Sequence, residues 1–440
     1  MKHIQTIFGI FLIFIIFGFG CQMSFFNQES LFRDTNLNSS SPSNSINLEW
    51  TSIWGSNNNE YCNQMVIDSS GNIFVIGWAN YSSMEDYDIF LAKFNSLGEI
   101  QWNRTFGGDG WDLGNDVELD SSENVYITGN LALEDKPSDG FLVKYNSLGE
   151  YQWNKTWGGD GRDFSNALAL DSNDNIYIVG FTEIEPFNYD FILLKYNSLG
   201  EYQWNRTFGG EYYDYGSGIA IDSMNNIYVS GGNVVNTSFQ SDILLLKYDN
   251  SGVLKWNKTW NKGTQKDDGI AIVLDSSQNI YITGSTSIST SIDMVLLKYD
   301  NAGEYVWNRT WGTLGGDTTT DITIDGKNNI FLSAIVNGMY LGNFTLIYYN
   351  INGEQKYNYT WGGLKTDQAR AITVDTFGNI FMTGFTDSFG SGDFDVYLAK
   401  FSGLIDEFET FEIIGYDLSL IFLCFFLVAG FIVKKKFNRY

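Results

Sequence analysis

The residues that most often carry catalysis are scarce in this chain, and that scarcity is its first functional feature. The one histidine, His3, stands ahead of an N-terminal apolar run, and the three cysteines, Cys21, Cys62 and Cys424, lie far apart. A chain cleaved after that run has no imidazole, which removes Ser/His and Cys/His catalysis and nearly all zinc chemistry. Three such cysteines build neither a disulfide framework nor a Cys-based metal site. Carboxylates remain, 52 of them, alongside 13 Trp, 26 Tyr and 34 Phe. Two carboxylates can cleave a glycosidic bond without histidine. Yet no pair stands apart from the general acidity, and the S-x-D-x-G-x-T-W box of sialidases is missing. A non-catalytic binding or scaffold role is therefore the leading expectation, with structural packing in a cell envelope second and an extracellular hydrolase or lyase third. The net charge of −26 argues against a nucleic-acid partner, because a phosphate backbone is held by basic surfaces.

Those carboxylates and aromatics are positioned by a repeat. Trp50, Trp102, Trp153, Trp204, Trp256, Trp307 and Tyr357 recur every 50 to 52 residues, a period that means a solenoid or a propeller. Between them the same landmarks return. An apolar segment ends in Asp, a short turn and a strand, as in LDSSENVYITG. A second strand follows, as in DFILLKY, then a turn such as NSLGE, and then QWNRTFGG. Each period thus offers four short strands, a to d in chain order, with Asx-type turn chemistry between a and b. Seven a–b–c units run from near Asn63 to Phe401, and seven d strands accompany them, the first at Leu48–Trp54, ahead of every unit. In a closed ring that leading strand completes the last blade and protects its edge. The expected fold is all-β, a seven-bladed propeller of four-stranded antiparallel blades closed by the N-terminal strand, plus one C-terminal transmembrane helix.

The repeats GGDGRDFSNALALDSNDNIYIVGFT and GGLKTDQARAITVDTFGNIFMTGFT, with their equivalents from about Leu48 to Phe401, resemble the bacterial and archaeal β-propeller repeat proteins called SBBP-type. The resemblance implies a propeller on a surface or secreted protein and brings no catalytic residue with it.

Strand parity sorts the connections. The a–b and c–d turns share one end and are nearly uniform, whereas the b–c and d–a loops share the other and vary. Variable loops on a rigid scaffold are where recognition usually sits. The candidate ligand-binding residues there are Trp111, Asp112, Asp163, Tyr212, Tyr213, Asp214, Asp267 and Asp268, with Glu85, Asp86, Glu183, Glu185 and Tyr215 nearby. Aromatic platforms flanked by acceptors suit sugar rings or a cationic partner. No cofactor is expected. The Asp-rich turns DSSEN and DSNDN admit calcium as an alternative, without the EF-hand Gly or distal Glu. The recurring Asp and Lys of strand c, as in Asp190 and Lys195, read as structural pairing or strand-edge solubility. Asn103, Asn154, Asn205, Asn257, Asn308 and Asn358 begin N-x-T sequons in strand d, the expected outer edge, and are glycosylation candidates.

The ends read as targeting. Residues 1–21 have the pattern of a secretory signal, and GFGC makes Cys21 a lipidation candidate. Residues 22–47 are a Ser/Asn-rich linker, 48–401 the propeller and 402–412 an acidic stalk. Residues 413–433 are apolar enough for a membrane span, and 434–440 form a basic tail expected on the cytoplasmic side. That arrangement puts the propeller outside the cell, facing an extracellular glycan or protein. It also resembles a C-terminal sorting signal.

Overall fold

In the computed structural model of the chain, the described residues are 46–83, 86–133, 137–236, 240–263, 266–288, 291–313, 315–336 and 342–402. They form seven four-stranded antiparallel sheets. The signal, linker, stalk and membrane-span expectations, with Cys21 and Cys424, lie outside these residues. Among the described residues no helix is long and apolar enough to cross a membrane.

Six blades take their four strands in simple succession, and the seventh does not. Its strands Asp367–Val374, Ile380–Thr386 and Asp395–Ser402 are completed by Asn47–Trp54 from the other end of the chain. The pairing runs from Asn47↔Ser402 to Trp54↔Val396. The single-chain count of a, b, c and d strands thus closes as expected. The inner a strands are Glu60–Ile67, Leu113–Leu119, Asp163–Leu170, Asp214–Ile221, Asp267–Leu274, Thr318–Ile324 and Asp367–Val374. They surround a central channel of about 990 Å³.

Apolar strands of this kind cannot stay single, and the core is accordingly divided into slices between neighbouring blades. In one slice Phe74 and Ile76 of blade 1 pack with Val117, Ile127 and Phe141 of blade 2. Toward the rim a second device, a strand-c Lys over a strand-b ring, repeats in every blade but the sixth, where Tyr348 replaces the Lys and stacks on Phe331. Lys195 of strand c lies over Tyr177 of strand b, 4.8 Å from its centroid, and over Trp204 of strand d at 5.9 Å. Blades 4 and 5 repeat this with Lys247 and Lys298. Each strand-d Trp is also covered by the c–d turn of the next blade. A Cβ at Gly200 would stand 2.7 Å from the Trp153 ring, and its φ of +75° fits glycine for a second reason. Arg206 extends the latch, Nε donating to the Gly252 carbonyl at 2.7 Å.

Asp190 and Lys195 do not meet. Strand c carries them to opposite ends of the blade, so the expected pairing within strand c is replaced by other contacts. Lys195 donates to the Asn250 carbonyl, and its counterparts Lys93 and Lys144 pair with Asp68 and Asp120 of the a–b turns. The Asx turns are as expected. Asp171 Oδ1 accepts from the N–H groups of Asn173 and Asn175, and Oδ2 from the Asn175 amide and the Tyr177 hydroxyl.

Two expectations follow. A chain lacking residues 1–54 exposes the outer edge of Asp395–Ser402, and light scattering should show it associating where the intact chain is monodisperse. Gln278 holds φ +63° in its turn with a buried, unpartnered Oε1. Gln278→Gly should raise unfolding free energy by about 1 kcal/mol in denaturant titration, since the left-handed region costs a side-chain-bearing residue that much.

Candidate functional site

The variable end is knitted by main-chain hydrogen bonds between successive blades. Tyr87 donates to the Gly110 carbonyl and Asp112 to the Tyr87 carbonyl, each at 2.8 Å, while Glu183 donates to the Arg162 carbonyl at 2.9 Å. These bonds tie each d–a loop to the preceding strand c or the following b–c loop. The loops differ in sequence but hang on one frame.

A carboxylate at the start of strand a anchors that frame in every blade. Glu60, Asp112, Asp163, Asp214, Asp267, Asp317 and Asp367 are all buried. Asp112 Oδ2 accepts from Gly108 N–H at 2.6 Å and Oδ1 from Ala132 N–H at 2.7 Å. Asp163 accepts from Gly159 N–H and the Thr182 hydroxyl, Asp214 from Gly210 N–H and the Asn233 amide, and Asp267 from Lys262 N–H. Asp268 accepts from Tyr215 and Ser241 and pairs with Lys266 at 2.8 Å. Four of the five aspartates expected to face a ligand, Asp112, Asp163, Asp214 and Asp267, are thus turned inward, and Asp268 is half-buried beside them. The reason is local: a d–a loop leaves N–H groups that only a short acceptor at its end can reach. Glu183 likewise accepts from Arg162 and Phe187 N–H, and Asp86 from Gly110 N–H. Glu185 is exposed, whereas Glu85 lies outside the described residues.

The aromatics behave differently. Trp111 is 60% exposed, its ring 5.2 Å from that of Tyr87 in an edge-on contact. Tyr213 is half-buried in a cluster with Phe181, Tyr189 and Tyr215, at centroid distances of 5.1 to 5.3 Å. Tyr212 is half-buried beside it in sequence. A second cluster joins Tyr61, Trp78, Phe385 and Phe394 across blades 7 and 1. Of the sequon asparagines, Asn103, Asn154, Asn205, Asn257 and Asn358 are exposed, and Asn308 is half-buried, donating to Tyr305 Oη at 2.7 Å.

The channel holds what sequence reasoning passed over. Each a strand carries a β-bulge, and the extra residues are Asn63, Asn115, Asn166, Ser217, Ile270, Thr320 and Arg370. All seven line the channel. One residue further along, four blades have Ala or Gly, but blades 1, 2 and 6 have Gln64, Asp116 and Asp321. Asp116 accepts from its own neighbour Val117 N–H and from Leu168 N–H of blade 3. Asp321 does the same with Ile322 and with Ile372 of blade 7. A repeat alignment centred on the bulge reveals this asymmetry; reading each strand singly does not.

Burial dominates the electrostatics of these acids. It raises Asp116 well above the ordinary carboxylate value, with Glu118 adding to it and the Leu168 and Val117 N–H groups opposing it. Burial pushes Glu118 up to about 7 against the Leu119 N–H. It pushes Asp321 to about 7 against the N–H groups of Ile372 and Ile322. At the variable end burial takes Asp214 to about 6, opposed by Gly210 N–H and the Asn233 amide. At the a–b turns burial is outweighed: the Asn124 and Asn175 donors, with turn N–H groups, hold Asp120 and Asp171 below the usual range. Among the described residues no group of three or more His, Cys, Asp or Glu could hold a metal ion.

Together these features define a seven-bladed β-propeller with one end of nearly uniform Asx and Gly turns and one end of dissimilar, aromatic-bearing loops. The family model of the SBBP β-propeller repeat matches residues 356–390, from strand d of blade 6 into blade 7. It is 22% identical over 281 residues to an uncharacterized WD repeat-containing protein, L264, of Acanthamoeba polyphaga mimivirus. That match covers 55% of this chain and 19% of the relative, so the chain spans about a fifth of that protein. Among solved structures, the polysaccharide lyase Uly1 superposes with a TM-score of 0.52 at 8% identity, covering 82% of this chain and all of that one. A protein of unknown function from Dyadobacter fermentans DSM 18053 gives a TM-score of 0.49 at 10% identity, covering 81% and 99%. The likeness to Uly1 is one of fold.

The raised carboxylates set a pH dependence. A group whose folded pKa exceeds its unfolded value of about 4 stabilises the fold most when protonated. Its contribution is complete below the unfolded value and is lost as pH rises through the folded one. Glu118, Asp321 and Asp214 therefore favour the fold increasingly as pH falls from 8 to 5, until the turn aspartates begin to protonate below that window. Thermal unfolding at fixed ionic strength should show the midpoint rising across it, and a flat or falling profile would contradict the assignment.

Proposed function

We propose that this chain is a membrane-anchored extracellular recognition module that uses the variable face of its propeller to bind glycan. The carrying observation is Trp111: a large aromatic, 60% exposed, on a loop fixed by the Asp112 and Asp86 carboxylates and by main-chain bonds to Tyr87. An ordered, exposed indole loses little freedom on contact with a sugar ring, which is what a stacking platform needs. The half-buried Tyr212 and Tyr213 extend apolar surface around the same face.

The placement of the chain ends supports the orientation. Asn47 and Ser402 pair at the uniform end, so a propeller tethered through residues 413–433 turns its variable face away from the bilayer. The exposed sequon asparagines lie on the outer strands, where attached glycans would shield edges without covering that face.

The test is a glycan array probed with the full-length chain in non-ionic detergent. Saturable binding is expected, weakened at least tenfold by Trp111→Ala, a change that leaves the melting temperature nearly unaltered because the ring is mostly exposed. Binding that ignores Trp111→Ala removes this reading. Concentration-dependent self-assembly with no glycan bound would support the alternative role, packing in a cell envelope.

A further inference from the structure

The channel mouth contains a charge whose environment the propeller itself does not explain. Arg370 occupies the bulge of the seventh a strand. In blades 1 to 3 the bulged residue is Asn, and its amide donates to a carbonyl of the next blade: Asn63 to Gly114, Asn115 to Ser165 and Asn166 to Gly216, at 2.8 to 3.0 Å. Arg370 breaks that pattern. Its guanidinium carbon sits 5.0 Å from the Phe385 ring centroid, and its Nε is shielded from solvent with no partner. Among the described residues no carboxylate pairs with it, in a chain that has 52 acidic residues. A shielded cation without a counter-ion is costly, and a guanidinium is a planar fork of donors matched to a carboxylate.

We propose that Arg370 makes the channel mouth a binding site for a small hydroxylated carboxylate. The ligand's carboxylate takes the guanidinium fork, which is backed from behind by Phe385 and the ring cluster it forms with Tyr61 and Phe394, at 5.0 and 5.4 Å. The ligand's hydroxyls point down the channel, where Thr320, Gln64 and Asp321 line the wall one strand position on or at the same level. A cavity of about 990 Å³ holds a molecule of this size. Further in, Asp321, Asp116 and Glu118 present oxygens and no cation to pair a second negative charge, so the site takes one carboxylate with neutral polar groups in preference to a polyanion. This site is separate from Trp111 and does not depend on the reading of that loop.

Two sources present this chemistry, a free hydroxy acid and the terminal acidic sugar of a glycan, and titration calorimetry on the full-length chain distinguishes them. Glucuronate is expected to bind, and glucose and the neutral amide glucuronamide to bind at least tenfold more weakly, because a charge-assisted pair is lost. Arg370→Gln should cause a similar loss, whereas Leu97→Ala, in an exposed turn at the uniform end, should leave glucuronate binding unchanged. An oligosaccharide ending in glucuronate that binds tenfold tighter than the monosaccharide assigns the site to glycan ends, and equal affinity assigns it to the free acid. The glucuronamide comparison needs no variant, so it stands even where Arg370→Gln fails to fold. Equal binding of glucuronate and glucuronamide, or no binding of either, overturns the proposal.

Discussion

The ladder between Asn47–Trp54 and Asp395–Ser402 is the constraint on which the molecule depends. Seven apolar slices exist only because seven blades meet in a circle, and a circle of consecutive repeats has one seam. Without the seam, blades 1 and 7 each present an uncovered face and blade 7 an open strand edge. Cys62, Met65, Phe90, Val396 and Leu398 share one buried cluster across that seam, so the closing junction has an apolar core of its own like the other six. The aromatic cluster of Tyr61, Trp78, Phe385 and Phe394 sits directly above it. Arg370 sits beside it.

Acidity serves the architecture in two ways. At the uniform end, Asp side chains replace missing backbone partners in the a–b turns. At the variable end they hold the loops from inside. Most of these carboxylates accept from backbone N–H groups together with side-chain donors, an arrangement that offsets part of the cost of burial. The net charge of −26 is therefore partly a by-product of turn and loop construction repeated seven times, and less a description of the surface offered to a partner.

The blade count, strand order, closure and Asx turns were all legible in the sequence, because each depends on residues close together in one repeat or on simple counting. The fate of Asp112, Asp163, Asp214 and Asp267 was not. Whether an Asp in a loop faces water depends on where the N–H groups of its own and neighbouring loops point, and spacing alone does not tell this. The channel was hidden for another reason. A bulge in each a strand shifts the alternation of side chains, and only the circular arrangement places Asp116, Asp321 and Arg370 around one space. Trp111 was legible as an aromatic in a variable loop, although its fixed and exposed posture came from contacts with Tyr87 one blade away.

The strand from which the chain departs, Asp395–Ser402, is not an edge strand. It lies between Ile380–Thr386 and Asn47–Trp54 and is bonded along its length to both. Tension drawn through the C-terminus acts along that strand and loads two ladders in shear, so many hydrogen bonds must yield at once. Tension between the two termini is different, because Asn47 and Ser402 sit side by side and such a pull opens one ladder a bond at a time. The fold therefore resists a pull between its C-terminal strand and its far face better than a pull between its two ends.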